Sequence, residues 1–185
     1  MSFTPPPKDE LLKFIGPPLA ESFEKYYGLS KEDSYKAVDI YREYFAPKGI
    51  FENNLFEGVP EMLKSLKNAG KTVALATSKP TVSAEKILKH FALDKYFDII
   101  QGSNLDGSLT DKAEVIATVL KMLTDVNLKA TAMVGDRCHD IIGGNKNGLF
   151  TVGVTFGYGT KDELQQSHAD SIVASVDELK NILLR

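Results

Sequence analysis

The chain has 185 residues, 43% of them hydrophobic, which suits a single domain or a core of about 130 residues with a small appendage. A net charge of −3 with scattered lysines argues against a nucleic-acid partner and favours a small substrate. One cysteine excludes an internal disulfide, and neither a signal peptide nor an apolar run long enough to span a bilayer is evident, so we expect a cytoplasmic protein without a membrane partner.

The hydrophobic pattern changes once along the chain. Residues 8–46 have helical periodicity and no convincing strand, and 51–58 reads as a linker. From there helices and strands alternate, which predicts an α/β fold with a doubly wound parallel sheet. The predicted elements are helix 59–69, strand 72–77, helix 80–90, strand 97–101, helix 112–123, strand 130–134, helix 139–147, strand 149–154, a short helix from 161, an apolar stretch 171–174 and helix 176–184.

A first group of polar residues follows the predicted strand of VALATSKP. Thr77 and Ser78 come at its end, and Pro80 suits the first turn of a helix because it has no N–H to leave unpaired. A hydroxyl and free backbone N–H groups would converge there, an arrangement that binds phosphate. Ordinary helix capping by Ser or Thr is the alternative.

A second candidate residue is Lys112. Asp111 and Glu114 have the spacing of a capping box, which places Lys112 in the opening turn of its helix. The helix dipole disfavours a cation at that end, so the placement calls for an anion nearby, unless the lysine is simply solvated at the surface. Two further pairs have the same spacing: Thr160 with Glu163, and Ser175 with Glu178.

The third group is an acidic strand end. The run ATAMVGDRCHDIIGG is apolar up to Gly135, and Asp136 and Asp140 follow. Ligands of open α/β sheets bind at the carboxyl ends of strands, and carboxylate oxygens suit Mg²⁺. The sequence therefore predicts a magnesium site, with a turn aspartate followed by a helix-cap aspartate as the alternative.

Taken in order, VALATSKP, the lysine of TDKAEVI and VGDRCHDI resemble the second, third and fourth motifs of the haloacid dehalogenase superfamily. FIGPPL at 14–19 and GVTFGYGTKDEL at 153–164 resemble its phosphoglycolate phosphatase-like branch. The resemblance implies a Mg²⁺-dependent phosphatase acting on a small phosphorylated metabolite. It also implies a Rossmann-like core, which we assign to residues 58–185, and a helical cap, which we assign to 1–57.

The resemblance also implies roles for individual residues. Thr77, with Ser78, would bind the phosphoryl oxygens, and Lys112 would orient and neutralise nucleophile and phosphate. Asp136 would ligate magnesium, with Asp140 supporting the metal site. A phospho-receiver domain uses similar residues but in the order aspartate, hydroxyl, lysine, which this chain does not follow.

The family's first motif, D-x-D-G-T, does not occur in the printed sequence. Its first aspartate attacks phosphorus and its second acts as general acid and base. The segment 104–109, NLDGSL, is superficially similar, but its first residue is an amide that cannot be the nucleophile, so we interpret it as an unrelated loop.

The strand of that motif would be central, between the strands ending at Thr77 and Val134. We therefore expect two unpaired strand edges there and no activity from this chain alone. Three explanations are open: the sequence is a fragment or misplaced start of a longer phosphatase, another polypeptide supplies the strand, or the sheet has rearranged and the function is lost. The retained Thr77, Lys112 and Asp136 favour the first explanation. A non-catalytic regulatory protein that keeps the phosphate and metal pocket is the rival function. Oligomeric state is left open.

Overall fold

The computed structural model describes residues 7–185. Its internal contacts divide the chain into two units, one ending at Lys48 and one running from Gly49 to Arg185. The sequence predicted the boundary after residue 57, whereas the contacts group 49–57 with the second unit. The assignment of 49–57 to a cap stays a prediction. No helix in the described part of the chain combines the length and the apolar character needed to cross a bilayer.

The first unit is helical, as its periodicity predicts. A 3₁₀ helix at Lys8–Phe14 precedes α1 (Leu19–Tyr27) and α2 (Lys31–Phe45). The Ser30 hydroxyl caps α2 by accepting the N–H of Asp33 at 3.1 Å.

The second unit alternates helices and parallel strands, as expected. Its elements are α3 (Val59–Asn68), β1 (Ala74–Pro80), α4 (Thr81–His90), β2 (Ile99–Ser103), α5 (Lys112–Met122), β3 (Ala132–Gly135), α6 (Cys138–Lys146), β4 (Phe150–Val154), α7 (Lys161–Gln166), β5 (Ser171–Val173) and α8 (Val176–Leu183). Short 3₁₀ turns lie at Gly49–Phe51, Asp94–Tyr96 and Leu128–Ala130.

The strands form two parallel sheets rather than one. β1 pairs with β2, and β4 lies between β3 and β5. Within residues 7–185, β1 and β3 are not hydrogen-bonded to each other, so the ladder is interrupted between the two strands for which the sequence predicted unpaired edges. Helix α5 packs on β1 and β2 and also against α6, which lies on β3 and β4. Helix–helix packing therefore links the two sheets.

Two apolar clusters form the core of this unit, and α3 contributes to both. One cluster holds Met62, Leu66, Val152, Val154, Val173 and Leu179. The other holds Leu63, Leu88 and Leu93. Val73, just before β1, packs against both clusters.

Strand β1 begins two residues later and ends three residues later than the predicted strand 72–77. Its pairing with β2 is irregular between Ala76 and Pro80, and Pro80 still pairs with Ser103. With φ −54° and ψ 136°, Pro80 is the N-cap residue of α4 and not, as expected, its first helical residue. The polar residues 77–79 therefore lie within the irregular end of the strand.

Candidate metal and phosphoryl site

The end of β1 is held by local hydrogen bonds. The Thr77 hydroxyl accepts the backbone N–H of Lys79 at 3.1 Å, and the Ser103 hydroxyl donates to the carbonyl of Ser78 at 2.9 Å. A Cβ at Gly102 would overlap the carbonyl oxygen of Lys79, so β2 approaches closely here. The free backbone N–H groups expected here do not include that of Lys79, because it is already bonded. No acceptor for the hydroxyl proton of Thr77 is found among the described residues, so a phosphoryl oxygen could accept it.

Lys112 is the first residue of α5, as its capping signal predicted. Asp111 Oδ1 accepts the N–H of Ala113 at 2.6 Å and so caps the helix. The Lys112 ammonium donates to the carbonyl of Ala76 at 3.1 Å and lies 3.0 Å from Asp140 Oδ1. Only 12% of its side chain is exposed, which rules out a solvated surface lysine. The anion that its position calls for is Asp140.

The acidic strand end is held by hydrogen bonds and an ion pair. Asp136 Oδ2 accepts the N–H of Tyr158 at 2.7 Å. Asp140 Oδ2 accepts the N–H of Arg137 at 3.2 Å, while its other oxygen faces Lys112. A Cβ at Gly135 would overlap the Asp140 carboxylate, which explains why a glycine ends β3.

These contacts allow a test of the expected metal. Mg²⁺ is usually held by one or two carboxylates, with waters and substrate phosphate completing six oxygens. Asp136 suits this role, because its described hydrogen bond uses only one carboxylate oxygen. Both oxygens of Asp140 are bonded to protein, which favours a supporting role over direct ligation. Among the described residues, no group of three or more His, Cys, Asp or Glu side chains could hold a metal ion, so side chains of these four types supply at most two ligands to one site.

Lys112 lies between the other two groups that the sequence singled out, the strand end with Thr77 and the strand end with Asp136. It contacts the backbone one residue before Thr77 and the carboxylate four residues after Asp136. The binding roles of Thr77 and Ser78, the catalytic role of Lys112 and the metal roles of Asp136 and Asp140 stay predictions.

The sequence missed one residue near this site, Glu163. Its spacing from Thr160 predicted that its carboxylate would reach back to the Thr160 N–H. The Thr160 hydroxyl does accept the N–H of Glu163 at 3.1 Å, but the carboxylate binds the turn after β3 instead. Glu163 lies in the segment GVTFGYGTKDEL, whose resemblance to the phosphoglycolate phosphatase-like branch marked it in the sequence. That resemblance does not say which residues Glu163 contacts.

The segment that resembles the nucleophile motif is a self-contained loop between β2 and α5. Asp106 Oδ1 accepts the Ser108 hydroxyl at 2.7 Å and the Ser108 N–H at 2.9 Å. These two hydrogen bonds lower the pKa of Asp106 below its usual value, and the bond from the Ser108 hydroxyl has the larger effect. Asp106 therefore serves the turn, which agrees with its interpretation as an unrelated loop.

Comparison with known proteins places this geometry in a family. Residues 1–154 match the model of the haloacid dehalogenase-like hydrolases. The chain belongs to that family, as the resemblance implied.

Three similar proteins illustrate the match. A 5′-nucleotidase of Pseudomonas aeruginosa is 41% identical over 170 residues, which cover 92% of this chain and 76% of that protein. The tyrosine-protein kinase PtkA of Mycobacterium tuberculosis is 36% identical over 180 residues, 96% of this chain but 61% of PtkA. The crystal structure of a predicted phosphatase from Clostridium acetobutylicum superposes with a TM-score of 0.92 at 46% identity, covering 95% of this chain and 81% of that one.

Proposed function

We propose that the protein containing this chain is a Mg²⁺-dependent phosphatase that hydrolyses a small phosphomonoester in the cytoplasm. The observation that carries the proposal is the buried Lys112 ammonium between the Ala76 carbonyl and the Asp140 carboxylate. It puts a fixed positive charge between the hydroxyl-bearing end of β1 and the acidic end of β3. Phosphoryl transfer depends chiefly on such positioning and charge neutralisation.

Each residue contributes a separate step. The Thr77 hydroxyl accepts the Lys79 N–H through a lone pair, and it donates its own proton to a phosphoryl oxygen. Lys112 neutralises charge on the phosphoryl group, and Asp140 keeps the ammonium in place. Asp136 ligates magnesium, which when bound offsets the charge of the phosphoryl oxygens.

The nucleophile that the resemblance implies is the first aspartate of D-x-D-G-T, a motif that the printed residues do not contain. Its carboxylate would attack phosphorus as the substrate's alcohol leaves, and water would then hydrolyse the aspartyl-phosphate. Turnover by this route requires a polypeptide segment that carries that motif.

Among small phosphomonoesters, 5′-nucleotides are the first candidates. The supporting observation is the 41% identity to a protein named 5′-nucleotidase over 92% of this chain. Phosphoglycolate and sugar phosphates are the next classes to compare.

The test uses the longest polypeptide that contains this chain, including any in-frame coding sequence before Met1. Phosphate release from nucleoside 5′-monophosphates, sugar phosphates and phosphoglycolate is measured with Mg²⁺ and with EDTA. We expect Mg²⁺-dependent release, fastest with a nucleotide. If none of the three classes is hydrolysed, the non-catalytic binding protein becomes the better explanation.

A further inference from the structure

Glu163 lies in the first turn of α7, yet its carboxylate is used by a different helix. Its Oε1 accepts the backbone N–H of Cys138 at 2.8 Å and the Nε–H of Arg137 at 2.9 Å. The two contacted residues are 25 and 26 positions earlier in the chain. Both charged side chains are largely covered, with 16% of Arg137 and 23% of Glu163 exposed. Solvent and salt therefore screen this pair less than they screen an ordinary surface ion pair.

The charge of Glu163 suits its place. Cys138 is the first residue of α6, so its N–H has no partner within the helix, and the helix dipole favours an anion there. Burial on its own would raise the pKa of Glu163, but the hydrogen bonds from the Cys138 N–H and the Arg137 guanidinium outweigh it and lower that pKa. The carboxylate therefore stays ionised at neutral pH.

The loop just before α7 also holds Asp136 directly. The Oδ2 atom of Asp136 accepts the N–H of Tyr158 at 2.7 Å. A Cβ at Gly157 would overlap the Asp136 side chain, and one at Gly159 would overlap its carbonyl oxygen, so the backbone of 157–159 lies against this residue. Glu163 then fixes the next two residues of the turn. Asp136 is thus held through its own carboxylate and through the residues that follow it.

We propose that Glu163 is a positioning residue for Asp136, the magnesium ligand of the proposed function, on which this inference rests. By binding the backbone at Cys138 and the side chain of Arg137, it fixes the turn that carries the Asp136 carboxylate. Groups that hydrogen-bond a metal ligand typically change metal affinity or activity by about 10- to 100-fold when they are removed, and we expect the same kind of effect from Glu163, which acts on Asp136 through the next two residues of the turn.

The chain offers a matched control. Asp162 is the neighbouring acidic residue in the same first turn of α7, and it is exposed. Asp162→Asn removes the same charge from the same helix without touching the turn after β3. Glu163→Gln keeps one oxygen acceptor but loses the negative charge, whereas Glu163→Ala loses both.

The first measurement is a Mg²⁺ titration followed by ¹⁵N–¹H NMR at the amides of 136–138, which does not depend on turnover. We expect Glu163→Ala to weaken Mg²⁺ binding by about 10-fold or more and Glu163→Gln to lie between it and wild type. Asp162→Asn should match wild type. Thermal melts identify the temperature range in which every variant is folded, and the titrations are run within it.

The second measurement is the Mg²⁺ concentration for half-maximal phosphatase rate in the longest polypeptide containing this chain. It should rise in the same order, while the KM for the substrate changes little. If wild type binds Mg²⁺ and Glu163→Ala binds it equally well, the positioning role is overturned and the proposed function stands. If wild type shows neither Mg²⁺ binding nor Mg²⁺-dependent hydrolysis, the proposed function itself is overturned and this inference with it.

Discussion

The Lys112 ammonium lies 3.0 Å from Asp140 Oδ1, and the two side chains are only 12% and 11% exposed. The pair joins the start of α5 to the first turn of α6. The ammonium also reaches the carbonyl of Ala76 at 3.1 Å, on the far side of the break between the two sheets. One side chain therefore contacts both β1 and α6, on the two sides of the break between the sheets.

Lys112→Ala should lower turnover by at least about 100-fold in a polypeptide that carries the nucleophile motif, because the phosphoryl charge loses its fixed counter-charge. Steady-state kinetics measure the effect. Lys121→Ala, an exposed lysine in the last turn of the same helix, is the control and should leave the rate unchanged. A nearly normal rate for Lys112→Ala would show that the lysine serves only as a structural partner of Asp140.

Asp136→Asn should weaken Mg²⁺ binding and lower turnover by at least about 100-fold, because a charged oxygen ligand becomes neutral. Calorimetric Mg²⁺ titration and kinetics in the same polypeptide measure the two effects. Asp106→Asn, in the loop that resembles the nucleophile motif, is the matched control and should change neither. Loss of activity in Asp106→Asn would instead give that loop a catalytic role.

The 185 residues expressed by themselves should show no Mg²⁺-dependent hydrolysis of an aryl phosphate above background. They contain Thr77, Lys112 and Asp136 but no D-x-D-G-T motif, so the first displacement has no nucleophile. The measurement is phosphate release by purified chain at high concentration. Robust hydrolysis that survives removal of every other protein would refute this prediction.

A peptide with an apolar strand ending in D-x-D-G-T should bind this chain and raise its melting temperature. β1 and β3 each have an edge without a strand partner among residues 7–185, and such edges accept an added strand. The stabilisation should grow with peptide concentration relative to its dissociation constant. A peptide of the same composition in scrambled order is the control. If the chain is a monomer that melts sharply and its melting temperature does not change with the peptide, the edges of β1 and β3 are not available to an added strand.

Asp98→Asn should destabilise the fold by less than about 1 kcal/mol, because the ion pair between Lys67 and Asp98 is partly exposed. The hydrogen bond from Lys67, followed by the N–H of Val73, lowers the pKa of Asp98 below 3.8. Its stabilising contribution should therefore be present above pH 3.8 and be lost as the pH falls through the lower folded-state pKa. Denaturant unfolding of both proteins between neutral and acid pH tests this. A constant difference down to the lowest pH would contradict it.

The sequence by itself determined the element order and the placement of the candidate residues. Hydrophobic periodicity and capping signals are local, so they fixed the alternation of helices and strands and put Lys112 at the start of α5. The motif order identified the family, which the match over residues 1–154 confirms.

Only the tertiary structure decided which groups meet. The Ala76 carbonyl and Asp140 are 64 residues apart, and Lys112 contacts both only because α5 packs on β1 and against α6. For the same reason Glu163, whose spacing predicted a bond within its own helix turn, binds the turn after β3 instead. A capping carboxylate binds whichever donor the packing brings closest, and packing between distant segments leaves no periodic signal in the sequence.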